Sequence, residues 1–144
     1  MGRVINVNNP TKIRNRNKRT IAEILRRLMD KPTLDQESKD MAAQIVLCLE
    51  EINATIDQTV SAWEKRDYWM KAERFLRDWE WSKEVAYNLD DIVRQDAWDL
   101  FPQVLGELLP QFKDVQVKTM TRDPLTWKGA LKQLMEQDPI ESPW

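Results

Sequence analysis

Histidine is absent from this chain of 144 residues, and glycine and cysteine are scarce, at three and one. Each shortage closes off chemistry. Without histidine there is no Ser-His-Asp or Cys-His catalytic set, no histidine-bearing zinc site and no Glu-x-x-His di-iron bundle. A single cysteine, Cys48, excludes an intrachain disulfide, and its place in the apolar run Ile45, Val46, Leu47, Cys48, Leu49 reads as a buried small hydrophobe. Three glycines leave no glycine-rich phosphate loop and too few turn residues for an all-β fold. No apolar stretch approaches the roughly 20 residues of a membrane span. The first residues carry no hydrophobic leader core, so the expectation is a cytoplasmic protein with no membrane partner.

What is present is helix-forming. Leu, Glu, Lys, Arg, Gln, Met and Ala dominate, hydrophobic residues make up 42% and charged residues 32%. The net charge of −2 conceals a gradient. Residues 1–31 carry nine Lys/Arg against Glu23 and Asp30, a balance of +7, and the remaining residues carry 13 against 22, a balance of −9. A basic head on an acidic body is the clearest non-random feature of the chain.

Between Pro32 and Pro102 lie 69 residues with neither Gly nor Pro. As one helix they would reach about 100 Å, several times the roughly 15 Å radius of gyration expected at this length, so the stretch must fold back. Thr33, with Gln36 three residues on, offers a capping box for its start. Met41, Ile45, Cys48, Leu49, Ile52, Ile56, Val60 and Trp63 then recur at steps of three and four, which predicts an amphipathic helix over 34–64. Past Trp63 the phase breaks. Met70, Trp81, Val85 and Ile92 would continue the old stripe, but Trp69, Leu76 and Tyr87 fall on the opposite side. This pattern predicts a turn near 64–68 and a second helix to about 94, interrupted near Trp81–Ser82, that is apolar nearly all round. A second buried face of that kind suggests a homo-oligomer.

Asp96 can cap a shorter helix that Pro110 ends. Val115, Gln116 and Val117 alternate and precede an extended connector. Asp123 and Pro124 open a last helix with Leu125, Trp127, Leu131, Leu134 and Met135 as its apolar set. Residues 3–7 lean towards β and are candidates to pair with 115–117. Asn8, Asn9 and Pro10 announce a helix whose apolar face is Ile21, Ile24, Leu25, Leu28 and Met29. Arg14 and Lys18 fall on that same face, so the segment 12–19 is expected to project from the body. The resulting picture is an all-α bundle of four to five helices around a long antiparallel helical hairpin. Residues 1–19 form a basic arm, 20–137 the bundle and 138–144 a flexible tail.

Three constellations invite a functional reading. The first is the basic arm, with Lys12, Arg14, Arg16, Lys18 and Arg19 interleaved with asparagines. Such a segment can neutralise phosphates and contact bases, or dock on an acidic protein surface, or simply be solvated. The second is tryptophan. Trp63, Trp69, Trp79, Trp81 and Trp98 fall within 36 residues. Trp63, Trp69, Trp79 and Trp81 are candidates for protein association, against the plainer reading of a bundle core with aromatic rims. The third is carboxylates. Glu37 and Asp40, Glu50, Glu51 and Asp57, and Glu80, Glu84, Asp90 and Asp91 could face one another between helices. A Mg²⁺-dependent hydrolase similar to the all-α nucleotide pyrophosphohydrolases would need one Glu-x-x-Glu and one Glu-x-x-Asp motif. The chain has Glu37-x-x-Asp40 but no Glu-x-x-Glu, and solvated acidic faces account for the rest. The expected function is therefore a non-enzymatic scaffold or adaptor without cofactor or metal. Its arm would engage a polyanion, nucleic acid foremost, and its Trp-rich helices would mediate protein contacts.

Overall fold

The computed structural model describes residues 9–144. The expected pairing of residues 3–7 and the charge of Arg3 lie outside the described residues. Among those described, every regular element is helical, and the helix Gln36–Lys65, α2, is the axis on which four of the other five α-helices pack.

Helix α1 spans Pro10–Asp30. Proline occupies its first turn, and the Asn9 side chain caps it by accepting from the Lys12 N–H at 3.1 Å. Helix α2, Gln36–Lys65, begins two residues later than Thr33 would have placed it. Asp35 is the cap. Its carboxylate accepts from the backbone and hydroxyl of Ser38, both at 2.8 Å, while the Ser38 hydroxyl accepts from the Asp35 N–H in return. Lys31 reaches back to Asp35 at 2.9 Å and to Glu37 at 2.8 Å, which fixes the corner between α1 and α2.

The long stretch without Gly or Pro folds back where the hydrophobic phase broke. Arg66 ends α2, and Asp67 takes a left-handed conformation at φ 64°. Aspartate is among the few non-glycine residues that adopt this region, because its short polar side chain tolerates it. The Tyr68 N–H donates to the Trp63 carbonyl at 2.9 Å and closes the turn. Helix α3, Trp69–Asp78, and helix α4, Glu80–Arg94, then run back along α2, jointed at Trp79. At that joint the Ser82 hydroxyl bonds both the Trp79 carbonyl, at 2.7 Å, and Asn53 on α2.

Asp96, also left-handed at φ 56°, turns the chain into the 3₁₀ turn Trp98–Leu100 and helix α5, Phe101–Leu108. Pro110 does not stop the chain there. It sits at the start of the 3₁₀ turn Leu109–Phe112, a position that needs no N–H, and the turn carries Phe112 into the core. Residues 113–123 are an irregular connector. Asp123 caps the 3₁₀ turn Pro124–Thr126 rather than a full helix. Helix α6, Ala130–Met135, starts only after Gly129, whose φ of 76° is costly for any other residue.

The core is one cluster. Ile21, Ile24 and Leu25 of α1 meet Met41, Ile45, Leu49, Ile52 and Ile56 of α2, with Leu89, Leu108, Trp127 and Leu134 closing it. The α2 stripe read from the sequence is buried through Ile56, and Val60 and Trp63 pack half-exposed at its end. Of the last helix's expected apolar set, Trp127 and Leu134 are buried, whereas Leu125 and Met135 face outward. In residues 138–144, the Ile140 N–H donates to Asp90 at 3.1 Å, and Trp144 meets the Tyr87 ring at 5.4 Å.

Candidate functional site

The basic segment does not project. Residues 12–19 are the first half of α1 and lie along α2. The reason is that α2 offers this half hydroxyls and a carboxylate, and α3 with its joint at Trp79 offers aromatic faces, in place of an aliphatic surface. Arg14 is buried. Its guanidinium donates to Thr55 at 3.3 Å, Thr59 at 3.4 Å and Thr11 at 3.2 Å, and it lies 5.1 Å over the Phe75 ring. Buried Asn17 donates to Glu51 at 2.9 Å, and Arg16 reaches the same carboxylate at 3.5 Å from a largely exposed position. Lys18 stands 5.9 Å over the Trp79 ring. Lys12 is exposed.

Arg19 leads to a carboxylate with four close donors among the described residues. Glu23, fully buried on the core side of α1, accepts from Arg19 Nε at 2.7 Å, the Thr121 N–H at 2.7 Å, the Thr121 hydroxyl at 2.6 Å and the Arg122 N–H at 2.8 Å. Burial by itself would raise its pKa. The bonds from Arg19, Thr121 and Arg122 outweigh that and hold it at about 2. Arg19 also donates to the carbonyls of Gln116 and Thr119, Arg26 to that of Val117, and Arg27 to that of Arg122. The connector has no helix or strand to satisfy its peptide groups, and the α1 arginines and Glu23 satisfy them instead. Much of the positive charge that marked the head of the sequence is thus spent inside the same chain.

The tryptophan-rich segment is likewise largely internal. Trp63 meets Phe75 edge-on at 5.0 Å, and Phe75 meets Trp79 at 6.4 Å. Trp79 stacks on Trp81 at 5.7 Å, and Trp81 meets Phe112 edge-on at 5.8 Å. This ladder runs from the end of α2 to the 3₁₀ turn after α5, and its cationic cover is Arg14 and Lys18 of α1 with Lys71 over Trp63 at 4.6 Å. The two sequence features read as separate contact sites therefore cover each other. Arg14 and Lys18 of α1 and the Phe112 ring cover Phe75, Trp79 and Trp81 from within the chain, whereas Trp69 and Leu76, read on the opposite side of the helix, are exposed.

Trp69 is the exception. It stands 58% exposed at the α2–α3 corner, between Tyr68 at 51% and Met70 at 77%. Lys65, Arg66, Lys71 and Arg74 are exposed around them, and Glu73 is neutralised by Arg77 at 2.9 Å. The turn is closed by the Tyr68 N–H, and the Tyr68 carbonyl in turn accepts from Ala72 at 3.0 Å, so the three large side chains stand where the turn passes into α3. Arg14 ties the start of α1 to Thr59 and Phe75, which places exposed Lys12 at this same end of the bundle.

The carboxylates have structural uses. Glu37 accepts from Trp127 Nε1 at 3.1 Å and Asp40 from the Leu131 N–H at 3.0 Å. Asp57 pairs with Lys83 at 2.9 Å, and Asp90 holds Arg94 and the Ile140 N–H. Glu50 is raised above its ordinary pKa by burial and by neighbouring Asp90, and its buried Oε1 has no hydrogen-bond partner. Among the described residues no three metal-ligating side chains converge. Burial also pushes the Cys48 thiol up to about 12, which leaves it protonated and inert.

Sequence reasoning missed Glu23, Tyr68 and Met70. Glu23 carried a signal, being the one acid between the apolar residues Ile21 and Ile24, four residues after Arg19. Tyr68, Trp69 and Met70 carried another, since three consecutive large apolar residues cannot all face one core. Comparison with protein-family models, with curated proteins and with solved structures finds no match to this chain.

Proposed function

We propose that this protein is a non-enzymatic binding module, a scaffold or adaptor, whose contact surface is the α2–α3 corner and whose partner is an acidic, apolar-faced protein segment. The observation that carries this reading is the exposure of Tyr68, Trp69 and Met70, consecutive in the chain at the α2–α3 corner, with Lys65, Arg66, Lys71 and Arg74 exposed in the same stretch. Isolated exposed hydrophobes need no explanation, but three consecutive large ones at one corner of the bundle do. Tryptophan, tyrosine and arginine are the side chains most enriched where binding energy concentrates. The cationic ring supplies electrostatic complementarity to carboxylates and steers association.

Protein is favoured over nucleic acid on charge. Glu64 and Asp67 sit among the cations in the chain, so the positive surplus is modest, whereas phosphate tracking needs a dense one. The test is fluorescence anisotropy with a synthetic helical peptide bearing a leucine stripe and glutamates elsewhere, beside its lysine counterpart and a single-stranded oligonucleotide. The glutamate peptide should bind, and Trp69→Ala should weaken it by about 2 kcal/mol, the loss typical of a central aromatic anchor, without lowering thermal stability. Equal binding of the glutamate and lysine peptides, or tighter binding of the oligonucleotide lost in Trp69→Ala, would refute the assignment to an acidic protein partner.

A further inference from the structure

A second surface lies away from that corner. Leu25 and Met29 line one edge of α1, and the chain running past it supplies Leu109, Phe112, Val115 and Val117. Together they enclose a groove of about 390 Å³, within the range of small-molecule sites. Leu25 and Phe112 are buried in its floor, and Met29 stands 65% exposed at its rim. The charged residues lining the groove are Arg26 and Lys113, both exposed, and no carboxylate lines it. Lys113 has no ion-pair partner among the described residues.

The carbonyls of Gln116, Val117 and Thr119 already accept from Arg19 and Arg26, so these acceptors are engaged on the α1 side. An apolar lining of small-molecule size, with two cations and no carboxylate, suits an occupant that pairs a hydrocarbon body with an anionic head. We propose that the groove binds a medium-chain fatty carboxylate, with its tail along Leu25, Leu109, Val115 and Val117 and its headgroup between Arg26 and Lys113. Each buried methylene of such a tail adds to the hydrophobic gain, and the two cations choose the anion over an uncharged head.

The test uses the full chain and decanoate, with decanol as the uncharged control. On titration with decanoate the methyl resonances of Leu109, Val115 and Val117 should shift together. Calorimetry should show decanol, and decanoate with Lys113→Glu, binding about tenfold more weakly than decanoate with the parent. The methyl titration needs no variant, so it stands whatever Lys113→Glu does to the fold. Three results would each overturn the proposal: no shift at those methyls, decanol binding as tightly as decanoate, or Lys113→Glu binding decanoate like the parent. Trp69→Ala should leave decanoate binding unchanged, which separates this site from the α2–α3 corner.

Discussion

At the scale of residues, the charges at the head of the chain act on the fold. Glu23 collects four close donors in a fully buried setting. Glu23→Gln keeps the shape but loses the charge and turns one acceptor into a donor facing donors. It should destabilise the protein by about 3 kcal/mol in urea unfolding, the scale of a broken buried ion pair. The pH dependence follows from the direction of the shift. The folded carboxyl titrates at about 2, below its ordinary 4.5, so its stabilising contribution is fully present above pH 4.5. That contribution should drain away as pH falls towards 2, and Glu23→Gln should flatten the acid limb of a plot of stability against pH.

The arginines of α1 divide in the same way. Arg14, enclosed by Thr55, Thr59 and Phe75, should cost about 2 kcal/mol when replaced by alanine, since stem packing and bonded hydroxyls are lost together. Arg16, outward and only 3.5 Å from Glu51, should cost less than about 0.5 kcal/mol. Equal losses at both positions would contradict this division.

At the scale of elements, the turns are made with little glycine. Asp67 and Asp96 take left-handed conformations at two of them, and glycine appears only at Gly129, where α6 begins. A Cβ at Gly129 would meet no atom within 4 Å, so Gly129→Ala isolates the backbone cost. Thermal or urea unfolding should show a loss of about 1 kcal/mol from the left-handed conformation alone. The hairpin of α2 against α3 and α4 was legible from the phase break after Trp63, because a change of helical face must be accommodated by a break or a wrap. The true cap at Asp35 was not, since Thr33 and Asp35 both suit an N-cap. Only the geometry of Lys31 and Ser38 selects between them.

At the scale of the molecule, α2 contacts α1, α3, α4 and α6, whereas residues 113–123 hang on side chains from α1. Hydrogen exchange should therefore be slowest along α2 from Ile45 to Ile56 and fastest in the connector. Glu23→Gln should accelerate exchange at Thr121 and Arg122 before it affects α2, because their N–H groups donate to that carboxylate. Uniform acceleration would mean that the connector and the bundle open as one unit.

The helical class, the α2 stripe and the fold-back near residue 64 were determined by the sequence itself, because periodicity and the distribution of breakers are local properties that any packing must respect. Whether the cations and tryptophans faced outward was decided only by the tertiary structure. A guanidinium is equally at home on a phosphate, a carboxylate or an aromatic ring, and a stripe of indoles suits a core as well as an interface. Here α1 lies over the aromatic ladder and its arginines hold the connector, so most of those groups find their partners at home. At the α2–α3 corner, where a left-handed Asp67 reverses the chain, Tyr68, Trp69 and Met70 stay exposed.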